Sequence, residues 1–200
     1  MGESETKRQQ ILTGASAVFA EHGYEGASMS AIARQAAVSK GTLYNYFANK
    51  ADLFAAFVEQ CCREKLPKAL APVQENAPPR ETLTAVARAM VRLITQPDSL
   101  MLYRIIVSEA PRFPQLGALF WENGPRVAIA TLAKWIREQE ELGTLRTEDP
   151  VFAAEQFFAL CQTRIAHLRR FNLNPQNSAK DEEKVIHAAV TVFMAAYGAK

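Results

Sequence analysis

With only three cysteines in 200 residues, two of them adjacent at Cys61 and Cys62, the chain lacks a disulfide framework, so an apolar core has to hold the fold. The expected state of these thiols is reduced, on apolar helix faces, with oxidation sensing as the competing use. Catalytic signatures are missing as well. There is no glycine-rich phosphate loop, no His-Glu-x-x-His pair and no Cys-x-x-Cys, and His22, His167 and His187 fall in separate segments without ligand-like spacing. The chain is therefore expected not to be an enzyme and to need neither metal nor cofactor. No apolar run approaches the roughly 18 to 20 residues of a membrane span. Met1 to Gln10 is polar where a signal peptide would be apolar, so the expected location is cytoplasmic, without a membrane partner. Charge of one sign is lacking too. The formal net charge is +2, and residues 1–60 hold five bases against six acids, so bulk electrostatics gives no hint of a nucleic-acid partner.

What the chain does have is helical periodicity. At 48% hydrophobic and 22% charged it has the balance of a globular protein, and no segment alternates polar and apolar residues long enough to form a strand, which predicts an all-α fold. A first helix is expected over about residues 6–22, with Ile11, Ala15, Val18, Phe19 and His22 on one stripe and Gly23 placed to end it. The Ser28 hydroxyl is suited to cap a short helix containing Ile32, Ala33 and Ala36, and Ser39 to cap another from Lys40 to Phe47. Asn49 with Asp52 three residues on opens a fourth helix, expected to weaken near Pro67. Pro72, Pro78 and Pro79 mark a domain boundary. Further helices are expected at about residues 80–95, 98–109, 115–123, 125–142, 150–171 and 178–197, separated by Pro97, Pro111, Pro114, Gly124-Pro125, Gly143, Pro150 and Pro175.

Two short helices joined by about four residues fit a helix-turn-helix, whose second helix enters the major groove of DNA. Composition sharpens the reading. Leu43 and Phe47 are four apart and can face a core, which leaves Lys40, Thr42, Tyr44, Asn45 and Tyr46 outside. Lysine and threonine reach phosphate oxygens, asparagine pairs with a base edge, and tyrosine does either or packs on a thymine methyl. Placement of charge agrees: from Ser28 to Lys50 there are three bases and no acid. The competing reading of Tyr44 and Tyr46 is packing between the first and fourth helices. Lys50 at a helix start is disfavoured by the macrodipole, and a nearby phosphate would explain it better.

The run Ile32-Ala33-Arg34-Gln35-Ala36-Ala37-Val38-Ser39-Lys40-Gly41-Thr42-Leu43-Tyr44-Asn45-Tyr46-Phe47-Ala48-Asn49-Lys50 resembles the signature of the tetracycline-repressor (TetR) family, and the resemblance extends from Ile11 to about Phe57. It implies an N-terminal three-helix DNA-binding domain over about residues 1–50, a linking helix at about 50–66, and a helical-bundle regulatory and dimerisation domain over about 75–200. It further implies a homodimer on a near-palindromic double-stranded operator, with a small-molecule effector changing the separation of the recognition helices. Carried over by position, Lys40, Gly41, Tyr44 and Asn45 match residues that approach bases, Ser28, Thr42, Tyr46 and Lys50 match residues that hold phosphates, and Ser30 matches an occasional base contact. One departure stands in the turn, where Ala37 replaces the usual glycine. If that position keeps a positive φ, alanine is strained by on the order of 1 kcal/mol, and the alternative is a reshaped turn.

Residues 104–125, notably Glu109 to Leu116 and Gly124-Pro125, are similar to the C-terminal domain of the AefR-like branch of that family. The last two long helices carry broad apolar stripes: Phe157, Phe158, Cys161, Ile165 and Leu168 on one, Ile186, Ala189, Val190, Phe193 and Tyr197 on the other. A four-helix bundle between two copies would bury both, so these are the dimer candidates; the competing reading is that they face their own core. Aromatic residues between Tyr103 and Phe158 favour an apolar or aromatic effector, for which Tyr103, Arg104, Phe120, Trp121, Trp135, Phe158, Arg164 and His167 are the pocket candidates. A rival to the whole reading is a helical ligand- or protein-binding module that no longer binds DNA.

Overall fold

Helix boundaries follow the punctuation closely, with three informative exceptions. The computed structural model describes residues 3–74, 77–174 and 178–199; Pro175, one of the expected helix breaks, lies outside them. Its helices are α1 (Glu3–Gly26), α2 (Met29–Gln35), α3 (Lys40–Tyr46), α4 (Lys50–Leu70), α5 (Pro79–Thr95), α6 (Pro97–Glu109), α7 (Pro114–Asn123), α8 (Pro125–Glu141), α9 (Pro150–Cys161), α10 (Ile165–Arg170) and α11 (Ser178–Tyr197), with a 3₁₀ turn at Ala71–Gln74. The fold is all-α: the extended pairing among the described residues is a single bridge between Leu145 and Gly198.

The first exception is α1, which resumes after Gly23. That glycine takes φ 69° and ψ −175°, which breaks the helix as expected, but a further turn follows to Gly26. The second is α4, which runs through Pro67 to Leu70. Interior proline removes one backbone donor and costs roughly 3 kcal/mol. Here Pro67 is exposed while Leu66, Ala69 and Leu70 are buried on either side of it, so packing offsets the loss. The third is the expected helix over 150–171, which splits into α9 and α10 at Arg164. This residue has φ 55°, and its guanidinium pairs with Asp181 at 3.2 Å.

Two compact units result. One comprises Met1–Arg63 with Met101–Asn123, the other Glu64–Leu100 with Gly124–Lys200. Residues 101–123 thus fold onto the N-terminal helices although they follow the prolines in sequence. The core of the first unit is aromatic: Phe54 makes edge contacts with Phe19 and Tyr24 at 5.0 Å, and Tyr24 with Phe113 at 5.2 Å. Ile11, Leu12, Ile32, Leu43 and Leu53 surround these rings, joined by Leu102, Ile105, Ile106 and Leu116 from α6 and α7. In the second unit α5 and α9 pack on α11, and α8 on α9, around Leu83, Val86, Leu132, Trp135, Ile136, Phe157 and Phe193.

A glycine in the apolar stretch of α1 sets the first crossing. A β-carbon on Gly14 would sit 2.7 Å from the backbone nitrogen and β-carbon of Ala36, too close for any rearrangement of a flexible tip. Gly14→Ala is therefore expected to destabilise the protein by about 2 kcal/mol, despite alanine's better helix propensity. An unchanged urea midpoint would show that α1 and α2 do not cross here.

Candidate nucleic-acid interface

Local hydrogen bonds build the helix-turn-helix almost entirely. The Ser28 Oγ accepts from the Ala31 amide at 3.1 Å and starts α2, whose Ile32 and Ala33 are buried. At the other end, the Ala37 amide donates to the Arg34 carbonyl at 3.1 Å and the Val38 amide to the Ala33 carbonyl at 3.0 Å. These two bonds make a Schellman motif with Ala37 in its left-handed position at φ 51°. The turn therefore keeps the conformation that favours glycine and bears the alanine strain; it is not reshaped. Gln10 of α1 anchors it, donating from Nε2 to the Ala36 carbonyl at 2.6 Å, a contact 26 residues distant that sequence reading missed.

The second helix starts on the next serine. Ser39 Oγ accepts from the Thr42 amide at 2.9 Å and lies 2.8 Å from the Thr42 hydroxyl. Leu43 and Phe47 go into the core, and Lys40, Gly41, Tyr44 and Asn45 are exposed, with Tyr44 at 52%. Ser28 and Ser30 are exposed nearby, and Thr42 is half-buried. Packing between helices, the competing reading for Tyr44, does not occur.

Tyr46 and Lys50 are placed differently from the rest. Tyr46 is half-buried, and its hydroxyl donates to Ser4 Oγ at 3.4 Å, so the packing reading applies to it in part. Lys50 donates from Nζ to the carbonyls of Glu25 and Ala27, each at 3.0 Å, with the ammonium 4.7 Å from the centre of the Tyr24 ring. Carbonyls at the end of α1 offset the unfavourable macrodipole of α4 and account for a lysine at this helix start. Arg112 reaches the same corner, pairing with the Glu25 carboxylate, while Glu109 accepts from the Glu25 amide at 3.3 Å.

Residues 11–57 match the family model described as bacterial regulatory proteins, tetR family, and residues 81–199 match the model for the C-terminal domain of AefR-like transcriptional repressors. The chain belongs to the TetR family. Among its relatives is the transcriptional repressor AcnR of Corynebacterium glutamicum, 29% identical over 150 residues that make up 75% of this chain and 74% of AcnR. A TetR-family regulator from Mesorhizobium loti superposes with a TM-score of 0.90 at 28% identity, covering 99% of this chain and 100% of its own. The flavonoid-responsive regulator FrrA does so with a TM-score of 0.78 at 31% identity over 97% and 98%. This TetR-family protein is thus a transcriptional regulator among regulators, in a family that is not one of enzymes.

Seven of the dimer candidates need correction. Phe157, Cys161, Ile165, Ile186, Ala189, Val190 and Phe193 are all buried within one chain, and Phe158 with them, while Leu168 and Tyr197 are half-buried. Ring contacts of 5.3 Å between Phe157 and Phe193 and 4.9 Å between Phe193 and Tyr197 show the two stripes meeting each other. They form the regulator's own core, because each helix packs its most apolar face against the other within the same chain. Burial also pushes the Cys161 thiol up to about 12, which keeps it protonated and unreactive. On the outer side of α9 and α11 lies an open groove of about 410 Å³, lined by Gln156, Ala159, Leu160, Thr163, Val192, Phe193, Ala196 and Tyr197.

The pocket candidates separate. Tyr103, Arg104, Phe120 and Trp121 lie in the first unit, and Trp135, Phe158, Arg164 and His167 in the second. Trp135 and Phe158 are core residues, and Tyr103 and Phe120 are half-buried. Trp121 is 46% exposed, and Arg104, Arg164 and His167 are exposed, so these four stand at the surface of their units. A second open groove, about 560 Å³ along α5 and lined by Arg80, Thr84, Arg88 and Arg92 among others, holds none of the eight.

Strain at Ala37 can be measured. Ala37→Gly removes roughly 1 kcal/mol of left-handed strain and gives part of it back as unfolded-state entropy, so a net gain of about 0.5 kcal/mol in thermal or urea unfolding is expected. A loss of stability would mean that the turn is not left-handed.

Proposed function

We propose that this TetR-family regulator is a homodimeric repressor that reads a near-palindromic DNA operator with α3 and is released by a small apolar or aromatic effector. The observation that carries the DNA reading is the division of α3: Leu43 and Phe47 fill the core, and an exposed face of Lys40, Gly41, Tyr44 and Asn45 remains. Gly41 strengthens it. A β-carbon there would meet only the Ser39 Oγ, at 3.8 Å, so nothing in the fold requires glycine. Glycine inside a helix is nonetheless about 1 kcal/mol less favourable than alanine. Close approach of a DNA base edge or backbone accounts for it. Ser28, Ser30, Thr42 and Tyr46 flank this face as phosphate or occasional base contacts, and Lys50 acts mainly by tying the start of α4 to the end of α1.

For the dimer, the partner surface moves to the outward side of α9 and α11. Val151, Phe152 and Val192 are among the exposed large apolar residues, at 40, 54 and 51%. Ala159 and Ala196 beside them are small enough for two copies of the helix pair to approach closely and form a four-helix bundle. The effector reading rests on the half-buried rings of Tyr103 and Phe120 and on FrrA, a relative responsive to flavonoids, which carry aromatic rings.

Duplexes tiled over the DNA flanking the protein's own gene, titrated at low salt, test the proposal. One should shift, and the shift should weaken with salt and with an added flavone or flavanone. Absence of any shift would leave the rival reading, a binding module without DNA. On the shifted duplex, Tyr44→Ala and Lys40→Ala should each weaken binding by at least tenfold without loss of dimer or fold. Gly41→Ala should raise unfolding stability by up to about 1 kcal/mol and still weaken DNA binding. Val192→Glu should give a folded monomer by sedimentation; a wild-type dimer would remove α11 from the interface.

A further inference from the structure

We infer that the first two turns of α1 form a second, sequence-independent DNA contact, in which Arg8 and Lys7 hold phosphates beside the bases faced by α3. The inference rests on the DNA-binding reading above and adds a site to it. Cations are scarce on the exposed face of α3. Phosphate neutralisation supplies much of a protein's affinity for DNA, yet on the exposed face of α3 the one cation is Lys40. Lys50 is held by two carbonyls at 3.0 Å and the Tyr24 ring, which leaves exposed Arg34 on α2 as the other base of the motif.

The structure brings two more. Tyr46, at the end of α3, donates to Ser4 Oγ of α1 at 3.4 Å, and the Arg8 guanidinium carbon lies 5.6 Å from the centre of the Phe47 ring. On the other side Lys7 donates from Nζ to Gln10 Oε1 at 3.0 Å, and Gln10 itself donates to the Ala36 carbonyl in the turn at 2.6 Å. The opening of α1 is thereby pinned to both ends of the recognition element. Arg8 and Lys7 are half-buried, so their stems are packed and their entropy is already reduced, and their partners here are neutral: a ring and an amide. Among the described residues neither makes an ion pair, so no carboxylate competes with a phosphate for either one. A guanidinium lying over an aromatic ring still presents its N–H edge, the geometry that takes a phosphate in two parallel hydrogen bonds. Two acids, Glu3 and Glu5, precede them on the same helix; Glu5 is exposed and turned about 60° round the axis from Arg8.

The test uses the full-length protein and one duplex that it selects from a random-sequence pool, with affinity followed from 50 to 300 mM salt. Each phosphate contact contributes about 0.9 to the slope of log K against log salt. Arg8→Gln and Lys7→Gln should therefore each lower the slope by about 2 per dimer, and by about 4 together, while the base preference recovered in a second selection stays that of the wild type. Arg8→Lys should keep the slope, which separates lost charge from lost packing on Phe47. A double variant with the wild-type slope overturns the inference, and if Tyr44→Ala still loses the selected sequence, the reading of α3 stands without it. A wild-type protein that selects no duplex overturns both.

Discussion

Burial of Leu43 and Phe47 in the core that also holds Phe19, Tyr24 and Phe54 is the constraint on which the functional surface depends. Seven residues of helix have almost no stability of their own, since a helix this short cannot recover its nucleation cost in water. Two side chains inserted into a core fix both the position of α3 and its rotation about its axis. The outward residues then follow from helix geometry: 100° per residue turns Gly41, Tyr44 and Asn45 away from Leu43, while Lys40 is exposed at the open first turn of α3. The surface is exposed because its helix is anchored from behind.

The turn before α3 shows how that anchoring overrides a local preference. Alanine disfavours a left-handed φ by about 1 kcal/mol, yet two backbone bonds of the Schellman motif and the Gln10 side chain on the Ala36 carbonyl hold it there. Reshaping the turn would give up those bonds and redirect Val38 and α3 from the core. Lys50 obeys the same logic at the next junction, where carbonyl oxygens at the end of α1 and the face of Tyr24 outweigh an unfavourable place at the start of α4.

In the second unit the same physics runs the other way. The apolar stripes of α9 and α11 were legible, but a stripe states only that it is to be buried, not by what. Within the chain the two helices lie against each other, so Phe157, Phe193 and Val190 are consumed as core, and the weaker outer face of Ala159, Leu160, Val192 and Ala196 stays at the surface. The eight pocket candidates scattered for a related reason. Tyr103, Phe120 and Trp121 belong to residues 101–123, which fold with the N-terminal helices, whereas Trp135 and Phe158 are buried in the core of the second unit.

The sequence by itself determined the all-α fold, the capping serines at 28 and 39, the glycine break at 23 and the family, because each of these is set by interactions within about four residues or by an unbroken run of motif. It also determined which residues of α3 are apolar and which are not. Tertiary structure alone decided which apolar faces meet, that Gly14 must stay bare where α1 crosses Ala36, that Lys50 is claimed by carbonyls 23 and 25 residues away, and that Arg8 lies over the Phe47 ring at the end of α3. These are contacts between segments far apart in the chain. Their geometry depends on how whole helices pack, and no local periodicity encodes it.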